Sequence, residues 1–235
     1  MKFDLFRAVS DYPSMLNKIA TFVFIIAMLL LGFIRNHIPA VEQFLAPYNY
    51  KIYLNNNWTI PIGTILPAFI IALLSRILKF HDRISDLFGI RQRFDVQNIL
   101  YPMALAVSPN LFLTQIKLLN ERRNELMVKV FYKYASGTSG KAVIDSHYIT
   151  MALDQWSWYW IVLEGLTLTT ITSLVLLFSG DAISSAILLI IVLAAGLTLL
   201  PMIIKLCARY ALNEIEQIIS DQNRKNEIER VFRAL

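Results

Sequence analysis

The 235 residues are 56% hydrophobic and 17% charged, with a mean hydropathy of +0.53. That composition excludes an ordinary soluble globular chain and places the protein in the membrane class. A formal charge of +5 would suit nucleic acid only if the bases formed a patch, whereas in a membrane chain they gather on the cytoplasmic side. The single cysteine, Cys207, excludes an intrachain disulfide and two-cysteine metal motifs and fits a reduced, cytoplasm-facing thiol.

In chain order, residues 1–18 place Phe3, Leu5, Phe6 and Val9 at helical spacing near Lys2 and Arg7. The pattern predicts an amphipathic segment lying along the inner surface and ended by Pro13. Residues 19–34 are uncharged between Lys18 and Arg35. At about 1.5 Å per residue they barely cross roughly 30 Å of hydrocarbon, so this first span is the shortest. No small-x-small cleavage site follows it, so it is expected to stay in the mature protein. An external loop over 35–57 leads to a second span over 58–78, with Trp58 at the interface and Pro67 as a candidate hinge.

A helical cytoplasmic domain is expected over 79–155, followed by a third span over 156–178 that opens on Trp156, Trp158, Tyr159 and Trp160. Ser179-Gly180-Asp181 reads as an external hairpin over 179–181. The uncharged stretch 182–204 is the cleanest span, and 205–235 reads as a cytoplasmic C-terminal helix. The fold class is therefore all-α: a polytopic membrane protein with four transmembrane helices, a helical domain between helices 2 and 3, and a cytoplasmic helix at the end.

Charge orients these spans. Three lysines and arginines precede the first span, two lie in the first loop, eleven lie between Arg76 and Lys141, none in the last hairpin and six after Ile204. Twenty of the 22 fall on one side, which places both termini and the middle segment in the cytoplasm of an inner membrane. Residues 96–116 are also uncharged, but a fifth crossing there would move twelve bases outside and put Pro102 and Pro109 within a span. A pair of buried cytoplasmic helices, the second starting at Ser108-Pro109, is the reading adopted, with a re-entrant or membrane-resting segment as runner-up.

Within the cytoplasmic part, Phe112, Ile116, Leu119, Leu126 and Val130 predict one long amphipathic helix from Asn110 to about Ala135. Residues 136–140 read as a flexible loop, and Ala142 to Gln155 as a helix entering the third span. After Ile204 a helical stripe of Leu212, Ile215 and Ile219 continues, and Asn226 with Glu229 has capping-box spacing ahead of Val231 and Phe232. Such a stem packs on its own domain or on a second copy, and the expectation taken is a homo-oligomer.

Glu164 is the one acid in the third span, eight residues past Trp156. Hydrocarbon cannot solvate it, so it is expected to face other helices, with Thr167 as its polar neighbour on the same face. Structural contact between helices is weighed against ion or proton traffic. Arg83, Arg91 and Arg93 are candidates for gripping lipid phosphates, an anionic ligand or a partner, against a plainer reading as surface anchors paired with Asp82, Asp86 and Asp95. The run from Gly137 to Lys141 fails as a phosphate loop, because Ala135 stands at the first glycine and Ala142 follows the lysine. Asp145, His147 and Asp154 lack metal-ligand spacing. Asn57-Trp58-Thr59 matches a glycosylation pattern but abuts a span. No catalytic residue, cofactor or metal is assigned.

In the layout of four spans and the arginine cluster Arg83 to Arg93, the chain resembles the four-span membrane subunits of bacterial antiphage systems, such as the membrane subunit of Kiwa-type systems. That resemblance implies a role in antiviral defence. The expected function is a non-enzymatic membrane protein that couples a cytoplasmic protein partner or ligand to an oligomeric bundle in contact with membrane lipids, without binding nucleic acid directly. The alternative is an oligomeric channel or ion/proton transporter that uses Glu164.

Overall fold

The computed structural model describes residues 9–52, 58–108, 113–135 and 143–235. Among them the chain is helical apart from one short antiparallel hairpin. It divides into two compact units. The first holds Pro13–His81 and Ser157–Met202; the second holds residues 9–12, Asp82–Trp156 and Ile203–Leu235.

In the first unit, helix α1 (Tyr12–His37) is longer at both ends than the expected span, about 39 Å of helix. Pro13 sits in its first turn, where a missing N–H costs nothing, so this proline starts a helix instead of ending one. Of the surface segment expected over 1–18, residues 12–18 are the first turns of α1, and Phe3, Leu5 and Phe6 lie outside the described residues. Met15, Ile19, Val23 and Ala27 recur every four residues and form the buried stripe of α1. Helix α2 (Pro39–Leu45) and a 3₁₀ turn (Ala46–Tyr48) follow. Strands β1 (Tyr50–Ile52) and β2 (Trp58–Ile60) then pair in the register Tyr50 to Ile60. The expected plain external loop is thus partly structured.

Helix α3 (Ile62–Leu78) runs through Pro67 without ending there. The larger break falls at Lys79, the one non-glycine in the left-handed region among the described residues (φ 47°). A side chain in that conformation costs about 1–2 kcal/mol relative to glycine. Helix α4 (Phe80–Phe88) starts immediately after it. At 17 residues, about 25 Å, α3 is short for a crossing.

Helices α10 (Ser146–Phe178) and α11 (Ala182–Ile219) are joined by a turn at Gly180, whose φ of 90° suits glycine. By length and apolarity α1, α10 and α11 can each cross a membrane. α3 counts as a fourth crossing only when taken with α4, from which it is bent by 57°. Three spans are therefore clear where four were expected. The first unit turns its apolar side chains outward, with Ile190, Leu193 and Leu197 of α11 all exposed, as a helix set in lipid does.

In the second unit, α5 (Ile90–Phe94), a π-helical segment (Asp95–Leu100) and α6 (Tyr101–Val107) follow one another. They bury Phe94, Ile99, Leu100, Met103, Ala104 and Val107. In the region of the rejected fifth span, no helix among the described residues is long enough to cross. The proposed cap at Ser108-Pro109 lies at the edge of the described residues; Ser108 itself is extended.

The expected single helix to Ala135 is broken. α7 (Leu113–Glu121) stops at Arg122, and α8 (Arg123–Leu126) leads through a second π-helical segment (Met127–Tyr132) into α9 (Lys133–Ala135). A π-turn inserts an extra residue into the helical register, so neighbours along the chain share the buried side. Leu126 with Met127, Val130 with Phe131, and Tyr134 with Ala135 are buried in pairs. The loop 136–140 lies outside the described residues.

The C-terminal helix α12 (Gln222–Arg233) starts at Asp221, whose side chain accepts from the Arg224 backbone N–H. The capping box expected at Asn226 and Glu229 is therefore not the start. Asn226 is inside the helix, and Glu229 pairs with Arg233 at 2.5 Å. Arg224 donates back to the Ile218 carbonyl at 2.8 Å and so closes the end of α11. Ile228 and Phe232 are buried, and α12 packs on α6 and the second π segment. Of the expected stripe on the stem, Ile215 is buried inside the chain while Leu212 is exposed.

Candidate functional site

The most buried polar cluster of the first unit gathers around Glu164. Its neighbours arrive from two helices that the left-handed turn at Lys79 separates: Ser75 from the end of α3 and His81 from the start of α4. The Ser75 hydroxyl donates to Glu164 Oε2, and His81 Nδ1 lies 3.3 Å from Glu164 Oε1. Both side chains are only 1% exposed. Trp160, one turn earlier on α10 and itself buried, presents its ring 5.7 Å from the imidazole.

A buried ion pair holds together when both ends are hydrogen-bonded, because an uncompensated charge in an apolar interior is costly. Glu164 meets that condition on Oε2 alone; Oε1 lies beside the imidazole but accepts no hydrogen bond among the described residues. Sequence reasoning singled out Glu164 but missed Ser75, although it is the one hydroxyl in the uncharged run between Thr64 and Arg76.

The order of groups limits the chemistry. A hydroxyl nucleophile needs the imidazole against it and the carboxylate behind. Here the carboxylate stands between hydroxyl and imidazole. Thr167 does not extend the cluster either: its hydroxyl bonds back to the Leu163 carbonyl at 2.9 Å, and Thr169 and Thr170 bond back in the same way. Among the described residues no polar lane continues from Glu164 along α10.

A second set with the same residue types lies elsewhere in this unit. His37 at the end of α1 places Nδ1 2.8 Å from Asp181 Oδ2 and 3.2 Å from Ser184 Oγ. Asp181 also caps α11, with Oδ1 accepting the Ser184 N–H at 3.0 Å. These contacts hold the Asp181 carboxyl below its usual range, the Ser184 N–H being the largest cause and His37 a smaller one. Both side-chain contacts use the same ring nitrogen, so no relay through the imidazole exists. Deeper in the α10–α11 hairpin, the Ser173 hydroxyl donates to the Ser185 carbonyl at 2.9 Å.

The three arginines singled out from the sequence serve different ends. Arg91 lies 3.6 Å from Asp82, and Arg93 donates to the Phe88 carbonyl at 2.6 Å. Arg83 is exposed on α4. The predicted pairing of Asp95 with one of this cluster gives way to a different partner, Arg123, whose Nε donates to it at 2.8 Å while a second nitrogen also reaches it. Burial raises the Asp95 carboxyl and Arg123 opposes that rise. Asp145 is a cap, accepting the His147 backbone N–H at 2.7 Å at the start of α10. No group of three or more metal-ligating side chains occurs among the described residues.

Comparison with known proteins bears on lineage. The YmfE protein family matches residues 11–232, nearly the whole chain. The chain belongs to the YmfE protein family. Within it, the uncharacterized protein YmfE of Escherichia coli (strain K12) is 24% identical over 183 residues, covering 74% of this chain and 73% of that protein. No solved structure matches. The family match takes in Ser75, His81 and Glu164 as well as His37 and Asp181, and it assigns no activity to them.

Proposed function

We propose that this YmfE-family chain is a non-enzymatic inner-membrane protein that conveys the state of a cytoplasmic partner or ligand to its membrane helices. In this reading it crosses four times, counting α3 with α4, and holds both termini and residues 79–155 in the cytoplasm. The buried Ser75–Glu164–His81 set carries the reading. It fixes α10 to the end of α3 and the start of α4, the point from which the chain passes into the second unit at Asp82. A buried carboxylate that accepts a hydroxyl from α3 and lies beside an imidazole from α4 acts as a latch on the strained turn between them.

Hydrogen exchange of the full-length protein in detergent tests the coupling. Glu164→Gln keeps the shape but weakens the pairing, and exchange is expected to accelerate over residues 82–107 as well as near the substitution. A change confined to 62–81 and 157–178 would remove the coupling proposal. The transport reading has less support, since the threonine hydroxyls beyond Glu164 are turned back to their own helix. Bilayer conductance abolished by the same substitution would reinstate it. Assembly of copies remains part of the proposal through the exposed faces of the spanning helices, and native mass measurement tests it. A role in antiphage defence rests on layout alone; genes for a nuclease or nucleotide sensor beside this one would support it.

A further inference from the structure

Helix α4 begins two residues after the apolar α3 ends, and its sides differ. His81, Ile84 and Ser85 are buried. Arg83 and Leu87 lie one turn apart on the other side, with Leu87 78% exposed, and Phe88 at the helix end is 59% exposed. Two bulky apolar groups standing in water so close to a guanidinium are unfavourable for a cytoplasmic surface. At the headgroup boundary of a bilayer the same arrangement is satisfied, because the apolar groups enter the acyl region while the guanidinium meets phosphate.

We propose that Arg83, with Leu87 and Phe88 beside it, is a binding site for the headgroup of an anionic phospholipid. Arg91 is engaged with Asp82 and Arg93 with the Phe88 carbonyl, whereas Arg83 makes no ion pair with any described residue. The fork of a guanidinium matches phosphate oxygens in a way an ammonium does not. Between Lys79 and Arg93 four bases face two acids, Asp82 and Asp86, so the surrounding field favours an anion. Asp86 shares the exposed side with Arg83 and weakens that field. The inference depends on the membrane reading and not on the coupling role. A protein washed from membranes by carbonate would break the membrane reading; retention there with failure in the tests below would break this inference alone.

The purified full-length protein is titrated in detergent with phosphatidylglycerol, phosphatidylcholine or inorganic phosphate while its melting temperature is followed. Phosphatidylglycerol is expected to raise it, phosphatidylcholine and inorganic phosphate to leave it near the starting value. Arg83→Gln should weaken the apparent affinity for phosphatidylglycerol about five-fold, the weight of one cation at an anionic surface, while Asp86→Asn should strengthen it. An equal response of wild type and Arg83→Gln overturns the proposal, as does an equal response to the zwitterionic lipid. In a second measurement, Leu87→Trp in vesicles containing phosphatidylglycerol should be quenched by brominated acyl chains. Quenching by aqueous iodide alone would place this side in water or against a soluble partner and overturn it.

Discussion

Two regions of the first unit use the same three residue types to different ends. Ser75, Glu164 and His81 meet where the carboxylate and imidazole side chains are 1% exposed, whereas His37 and Asp181 meet with side chains 33% and 26% exposed. Water and salt screen the second pair, so its value is small whatever its geometry. The first pair has no such relief: each partner there is satisfied by protein or by nothing. Neither region makes a hydroxyl–imidazole–carboxylate relay: in the first the carboxylate stands in the middle, and in the second hydroxyl and carboxylate meet the same ring nitrogen, so the difference between them lies in burial. The buried set is the one whose loss the structure cannot absorb.

The largest effect should therefore come from Glu164→Ala, which strips Ser75 and His81 of their partner and opens a cavity beside Trp160. Breaking one side of a buried pair costs about 3–5 kcal/mol, read as a large fall in melting temperature in detergent. Glu164→Gln, which still accepts from Ser75, should cost less. In a double-mutant cycle with His81→Ala the two losses should fall short of additivity by more than about 1 kcal/mol. Additive losses would mean that the 3.3 Å approach carries no energy and would erase the distinction between the two sets.

Much of the helix layout is legible in the sequence because hydropathy acts over whole segments. The start of α11 at Ala182 and the turn at Ser179 before it fall where the pattern puts them. What escapes is decided by single residues in three dimensions. Pro67 carries the sequence signal for a break, yet the larger break is at Lys79, where tertiary contacts of Ser75 and His81 hold a conformation that local preference disfavours. The π-helical turns at Asp95 and Met127 are invisible to a search for regular period, since inserting a residue into the register is what defines them. Glu164 was found because an acid stands out among apolar residues. Ser75 was not, because a serine in a span can always bond its own helix.

A third carboxyl extends the comparison to burial without a partner. Glu214, on α11 well past Lys205, is 6% exposed in the second unit. Burial pushes its carboxyl up to about 8. A folded-state value above the unfolded one means the native state binds the proton more tightly. Its contribution is present in full below about 4.5 and is lost as pH rises towards 8. Glu214→Gln should remove that dependence and stabilise the protein by about 1–3 kcal/mol near pH 8, with little change at pH 4. A stability profile that is parallel in the two proteins would show that Glu214 has a partner after all, as Glu164 does.

The smallest effect is expected at the exposed set, and it divides by residue. Asp181 does two jobs, capping α11 through Oδ1 and meeting His37 through Oδ2. Asp181→Asn keeps an oxygen for the Ser184 N–H and loses only the charge, so its melting temperature should stay close to wild type, below the loss seen for Asp181→Ala. His37→Ala should match Asp181→Asn and not Asp181→Ala, because it leaves the cap intact. The carboxyl is held below its usual range, chiefly by the Ser184 N–H, so what the ionised Asp181 contributes is present above about 3.8 and disappears as pH falls below it. Adding salt should reduce the His37 effect and leave the Glu164 effect unchanged, since screening reaches one set and not the other. If salt weakened both alike, the Ser75–Glu164–His81 set would be open to water, and burial could no longer be the difference between them.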